Sequence, residues 1–104
     1  MTAKAVAKIS DFDDSKMLAI EFDGMPIVLI LEKDGSVSAL HDCCSHEEVK
    51  LSEGAVESGE ITCLRHGARF ETKTGKQLCL PAVRPVKSYS CAVQEGLVYL
   101  DISG

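Results

Sequence analysis

The sequence contains no Trp, three Phe and two Tyr, too few aromatic faces to form a platform on which nucleobases stack. It also lacks basic charge: 11 Lys and Arg against 16 Asp and Glu leave a net −5. Nothing offers a dense basic stripe for phosphates, so composition argues against a nucleic-acid partner. Long apolar runs are missing too. The longest, Ile27 to Leu31, is far too short to span a bilayer, and Met1 to Lys8 contains no apolar h-region. The expectation is a cytoplasmic protein with no membrane partner. Sustained helical periodicity is absent as well; Ser45 to Ser52 offers one short turn at most.

What is present reads as strands and tight turns. Asp23-Gly24 lies between Leu18–Phe22 and Pro26–Leu31, and Asp34-Gly35 separates that second run from Ser36–Leu40. Asp-Gly between apolar runs favours hairpin turns, so these segments predict an antiparallel meander. Val86–Gln94, Glu95-Gly96 and Leu97–Asp101 predict a second hairpin. At 104 residues the chain suits one core, giving a single domain over 1–104. The predicted fold class is all-β, a sandwich or barrel-like arrangement of short strands. Between His41 and Pro85 the rhythm breaks, and this stretch holds all three His along with Gly54, Gly59, Gly67, Gly75 and Pro81. Loops on a rigid β scaffold commonly carry chemistry, so the site is expected there.

Five Cys in a chain of this size is high. The odd number and a reducing compartment favour metal or cluster ligation over a disulfide framework. Two short motifs stand out, Cys44-Ser45-His46 and Cys63-Leu64-Arg65-His66, with residues 47–62 between them. Each is expected at a hairpin tip. Side by side, the two loops present two thiolates and two imidazoles to a common point. A [2Fe–2S] centre uses such a set with both Cys on one iron and both His on the other, while a structural zinc ion takes the same ligands. With neutral imidazoles, two ferric ions, two sulfides and two thiolates sum to zero charge. Such a centre accepts an electron more readily than an all-thiolate one, which is already doubly negative. Gly67, directly after His66, leaves the backbone bare where the chain must approach a cluster.

The remaining candidates have plainer readings. Cys79 and Cys91 suit small apolar core positions, Cys43 is a bystander thiol, and His41 is a structural or solvent-facing imidazole. Tyr89 and Tyr99 are expected to pack on the scaffold. Five acids between Glu47 and Glu60 face Arg65, Arg69, Lys73 and Lys76 farther on; these are either two solvated loops or a dipolar rim that orients partners. With His41 the only other His, no second iron site of two His and one carboxylate can be built. No Gly-rich dinucleotide fingerprint is present either. The expectation is an electron carrier, not an enzyme.

The pattern C-x-H followed by C-x-x-H-G resembles the Rieske iron–sulfur signature. Ala39–His46, Leu51–Gly54 and Cys63–Phe70 resemble the two cluster loops and their flanks, and Leu80-Pro81-Ala82 resembles the Pro-containing loop that covers the cluster. The resemblance implies a Rieske-like antiparallel β-sandwich with a cluster-binding subdomain, about 41–85, formed by two hairpin loops and a Pro loop. It implies one [2Fe–2S] cluster held by Cys44, His46, Cys63 and His66. Chains of this kind are similar to ferredoxin components of bacterial aromatic-ring dioxygenase systems. The implied partners are an NAD(P)H-dependent flavoprotein reductase and a terminal Rieske oxygenase, and the implied state is a monomer. Alternatives are a small Rieske-type subunit of a reductase such as nitrite reductase, or a zinc-stabilised β module. In Rieske proteins of respiratory complexes two further Cys form a disulfide beneath the cluster; Val49 and Arg65 stand at their places here. Ala68 and Phe70 replace a Ser and a Tyr that direct hydroxyls at the cluster, which implies a lower reduction potential. Leu64 stands where many relatives have Pro.

Overall fold

A computed structural model describes residues 4–43, 50–63, 67–78 and 85–101. Among the described residues, nine strands run in chain order: β1 (Lys4–Lys8), β2 (Met17–Phe22), β3 (Met25–Leu31), β4 (Val37–His41), β5 (Ala55–Glu57), β6 (Glu60–Thr62), β7 (Arg69–Glu71), β8 (Ser88–Gln94) and β9 (Leu97–Asp101). Single 3-10 turns occupy Ile9–Asp11 and Leu51–Glu53. The strands form a six-stranded antiparallel sheet, in the order β1-β9-β8-β4-β3-β2, and a three-stranded sheet, β5-β6-β7. The all-β antiparallel expectation holds.

Turn chemistry sets the register. Asp23 and Gly24 have φ of 54° and 78°, both central residues being left-handed as a two-residue hairpin turn requires. Phe22 accordingly pairs with Met25, and the register runs unbroken to Met17 opposite Ile30. Glu95 and Gly96 repeat the device between β8 and β9.

Burial explains why β3 is a continuous apolar run instead of an alternating one. Val28 and Ile30 point to one side, where they pack with Met17, Leu40, Leu51, Ile61, Phe70 and Val86. Ile27 and Leu29 point to the other, against Val37, Ala39, Val98 and Leu100. A strand buried on both faces needs apolar side chains at every position. Since Val98 and Leu100 of β9 share a cluster with Ile27 and Leu29 of β3, the large sheet folds over on itself. The small sheet covers its other face. Each fully buried Leu or Ile in these layers contributes about 1.5–3 kcal/mol of transfer free energy.

The sheets are also tied by polar contacts. Fully buried Thr72 donates its hydroxyl to Glu32 Oε2 at 2.7 Å, and Ser38 donates to the same oxygen at 2.5 Å. Thr72 N–H donates to the Gly59 carbonyl at 2.9 Å. Both the hydroxyl and the N–H of Thr72 therefore reach a partner, which offsets their desolvation.

Candidate metal centre

β6 and β7 form a hairpin in which Thr62 pairs with Arg69, and Cys63 opens its tip. Cys63 is 1% exposed and packs with Leu40, Leu51, Ala68 and Phe70. Its N–H donates to the Ala68 carbonyl at 2.7 Å, and its carbonyl accepts from Gly67 N–H at 3.1 Å. Gly67 adopts φ of 73°, a left-handed conformation that glycine takes without strain. The sequence placed the second motif at a hairpin tip, and Cys63 stands at one. The Gly67 amide closes the hairpin through its bond to the Cys63 carbonyl.

The first motif lies on a different kind of connection. It follows β4 of the large sheet and precedes Leu51–Glu53 and β5 of the small one, so it crosses between sheets and does not join two paired strands. Its stems are held tightly. Asp42 is 2% exposed; its Oδ1 accepts from Ser52 N–H at 2.8 Å, and its Oδ2 accepts from the Ser52 hydroxyl at 2.7 Å. Asp42 N–H donates to the Pro26 carbonyl at 2.9 Å, and His41 N–H to the Lys87 carbonyl at 2.8 Å. Gly54 then passes so close to β6 that a Cβ there would stand 1.8 Å from the Thr62 carbonyl oxygen. Only glycine allows this approach, and it seats the return of the first connection beside the residue preceding Cys63.

A third connection follows Leu78, whose N–H donates to the Arg69 carbonyl at 2.8 Å, and ends before Val86, whose N–H donates to the Gly75 carbonyl at 2.9 Å. The flanks of these connections are thus held by hydrogen bonds, Asp42 to Ser52 across the first, Leu78 to β7, and His41 to Lys87 between the first and the third. Cys44, His46 and His66, the other predicted ligands, lie outside the described residues, as do Val49, Leu64, Arg65, Cys79 and the Leu80-Pro81-Ala82 segment.

The neighbouring candidates take their expected places. Cys91 is half-buried on β8, packed with the core between the halves of the large sheet. Burial pushes its thiol up to about 11, so it stays protonated and unreactive. Tyr89 packs in the same core, where burial raises its phenol above the ordinary value. Half-buried His41 ends β4. In the charged rim, Arg69 reaches Glu60 at 3.4 Å across the hairpin, with both side chains largely exposed, a pair of little stabilising value. That contact favours solvated loops for these two residues. A groove of about 590 Å³, lined in part by Leu31, Lys33, Val56 and Gly59, lies at the other end of β6 from Cys63. It is not where the sequence concentrates its ligands.

The sequence marks Gly54 and the Leu51–Gly54 segment but not the contacts they make, and neither Asp42 nor the Glu32–Thr72 tie was singled out. Asp42 had a visible signal, an acid at the end of an apolar strand immediately before Cys43-Cys44. Glu32 and Thr72 had none, because their contact spans 40 positions.

A two-sheet antiparallel β fold with a buried thiol at a hairpin tip agrees with the small cluster-binding β domain that the sequence motifs predict. The chain matches the Rieske [2Fe-2S] domain over residues 2–90, and it belongs to that family. It is 34% identical over 104 residues to the 3-phenylpropionate/cinnamic acid dioxygenase ferredoxin subunit of Photorhabdus laumondii, covering 99% of this chain and 97% of that protein. Its fold is similar to the ferredoxin of carbazole 1,9a-dioxygenase from Nocardioides aromaticivorans, with a TM-score of 0.88, 31% identity, and 96% and 97% of the two chains covered. It is also similar to a chain in the complex of reduced oxygenase and oxidized ferredoxin in carbazole 1,9a-dioxygenase, with a TM-score of 0.84, 27% identity, and 94% and 91% covered. The cofactor is accordingly one [2Fe–2S] cluster. The described residues fit it: a soft thiol on a closed hairpin, with apolar packing beneath to keep water away. Among the described residues no helix is long and apolar enough to cross a membrane.

Proposed function

We propose that this chain is a single-electron carrier whose cluster is held by Cys44 and Cys63 on one iron and by His46 and His66 on the other. It takes electrons from an NAD(P)H-dependent flavoprotein reductase and delivers them to a terminal Rieske oxygenase. The observation that carries this reading is the near end-to-end match with a dioxygenase ferredoxin subunit. When bound, the cluster supplies a one-electron redox couple, raised by imidazole ligation above that of all-thiolate clusters. The chain's own residues hold and shield it. Cys63, buried in the inter-sheet core, would hold one iron, and Ala68 and Phe70, both fully buried, have no hydroxyl to offer the sulfurs. As the imidazole ligands, His46 and His66 would offer the shortest electron path to a partner. The chain acts as one monomeric, cytoplasmic domain over 1–104, with 41–85 as its cluster-binding region.

The test is reconstitution. Mixed with a flavoprotein reductase, NAD(P)H and a terminal Rieske oxygenase, the purified protein should be reduced rapidly and reoxidised by the oxygenase in single-electron steps. A cluster-loaded protein that the reductase cannot reduce, or that the oxygenase cannot reoxidise, contradicts the assignment.

A further inference from the structure

We propose that Asp42 is a positioning residue for the cluster, through the two hydrogen bonds by which it holds Ser52. This rests on the reading above, in which Cys44, two residues on, is a ligand. Three observations meet at Asp42. Its backbone is fixed to β3 through the Pro26 carbonyl. Both of its carboxylate oxygens are used by a single residue, Ser52, one through the backbone N–H and one through the hydroxyl. Ser52 lies between fully buried Leu51 and Gly54, the residue wedged against Thr62 next to Cys63.

The first cluster connection is therefore closed at its base by two hydrogen bonds from one side chain. Through Ser52 and Gly54, the same closure is coupled to the second connection. Charge-assisted hydrogen bonds of this kind are about twice as strong as neutral ones, and closing the base limits the conformations open to residues 43–51. Ligand placement then owes its precision to Asp42.

Asparagine preserves the shape and both contacts, since its carbonyl oxygen accepts from Ser52 N–H and its amide donates to the hydroxyl. Asp42→Asn thus separates charge from geometry, whereas Asp42→Ala and Ser52→Ala remove contacts.

The experiment compares these three variants with the wild type as purified. Iron and sulfide per chain, the visible spectrum, the midpoint potential, and the half-life of the cluster in the presence of an iron chelator are measured. Asp42→Asn, which keeps both contacts to Ser52, should carry a full cluster with the wild-type half-life. Ser52→Ala should shorten the half-life several-fold, and Asp42→Ala more so or to complete loss. A half-life shortened in Asp42→Asn as much as in Asp42→Ala, or a wild-type half-life in Ser52→Ala, overturns the proposal. Ser52→Ala removes one hydroxyl and keeps the test readable where Asp42→Ala does not fold. A wild type without a [2Fe–2S] cluster is a distinct result, and would contradict the reading on which the proposal rests.

Discussion

At the scale of single residues, the site is a division of labour among five cysteines. Cys63 is buried at a hairpin tip, while Cys91 is held on a strand in an apolar core. Replacing Cys44, His46, Cys63 or His66 by Ala should abolish the native visible spectrum, and Cys79→Ser and Cys91→Ser should leave it intact. A wild-type spectrum after any of the four ligand changes would require another assignment. Cys91 also predicts a pH effect. Its ordinary value is 9.0, and burial raises it to about 11 in the folded chain. Above the lower value the unfolded thiol loses its proton while the folded one keeps it, so stability present below pH 9 is lost as pH rises through 11. Denaturation at neutral and strongly alkaline pH should show a smaller alkaline loss in Cys91→Ser than in the wild type; equal losses would contradict the burial argument. Ala68 and Phe70 bear on potential. Without their hydroxyls the midpoint should lie near the low end of the Rieske range, roughly −150 mV, and Ala68→Ser should raise it. A wild-type value well above zero would contradict that account.

At the scale of elements, the strands with clear patterns were legible and the small sheet was not. The β2–β3–β4 meander and the β8–β9 hairpin are announced by Asp-Gly or Glu-Gly turns between apolar runs, and the structure places them within a residue or two. β5, β6 and β7 have three residues each, with Ile61 and Phe70 as their buried centres. Three residues cannot display an alternation, so this sheet read as an interruption of the strand pattern. β1 escaped notice because Lys4–Lys8 is mostly Lys and Ala, and it pairs with β9 through a register shift between Ala5 and Ala7. The Cys and His motifs stand out because each is local in sequence, whereas the contacts at the base of the first connection join residues distant in sequence. Gly54 illustrates this: its role depends on Thr62, which only the fold brings near. Gly54→Ala should cost about 3 kcal/mol, at the upper end of overpacking penalties because the obstacle is backbone. It should also loosen the cluster. Chemical denaturation of the variant measures this, and a loss below about 0.5 kcal/mol, within the range of ordinary surface changes, would contradict the close approach.

At the scale of the whole molecule, one scaffold serves two purposes. The large sheet folds over its own core, while the small sheet, with Cys63 at its hairpin tip, is joined to it by inter-sheet packing and the Glu32–Thr72 tie. An electron carrier must meet two partners in turn, so its contacts are expected to be small, fast and charge-steered. Reversing Glu47 and Glu48 to Lys should change electron-transfer rates and their salt dependence without altering the cluster spectrum. Rates with both partners that stay unchanged at low salt would place docking elsewhere. The central claim, however, is a cluster with two imidazole and two thiolate ligands. Hyperfine electron paramagnetic resonance of the dithionite-reduced protein reads that ligand set directly. The account predicts a [2Fe–2S] signal coupled to two histidine nitrogens, with iron and acid-labile sulfide in equal amounts. A signal without histidine nitrogen coupling, or a colourless protein holding one zinc per chain, would contradict it.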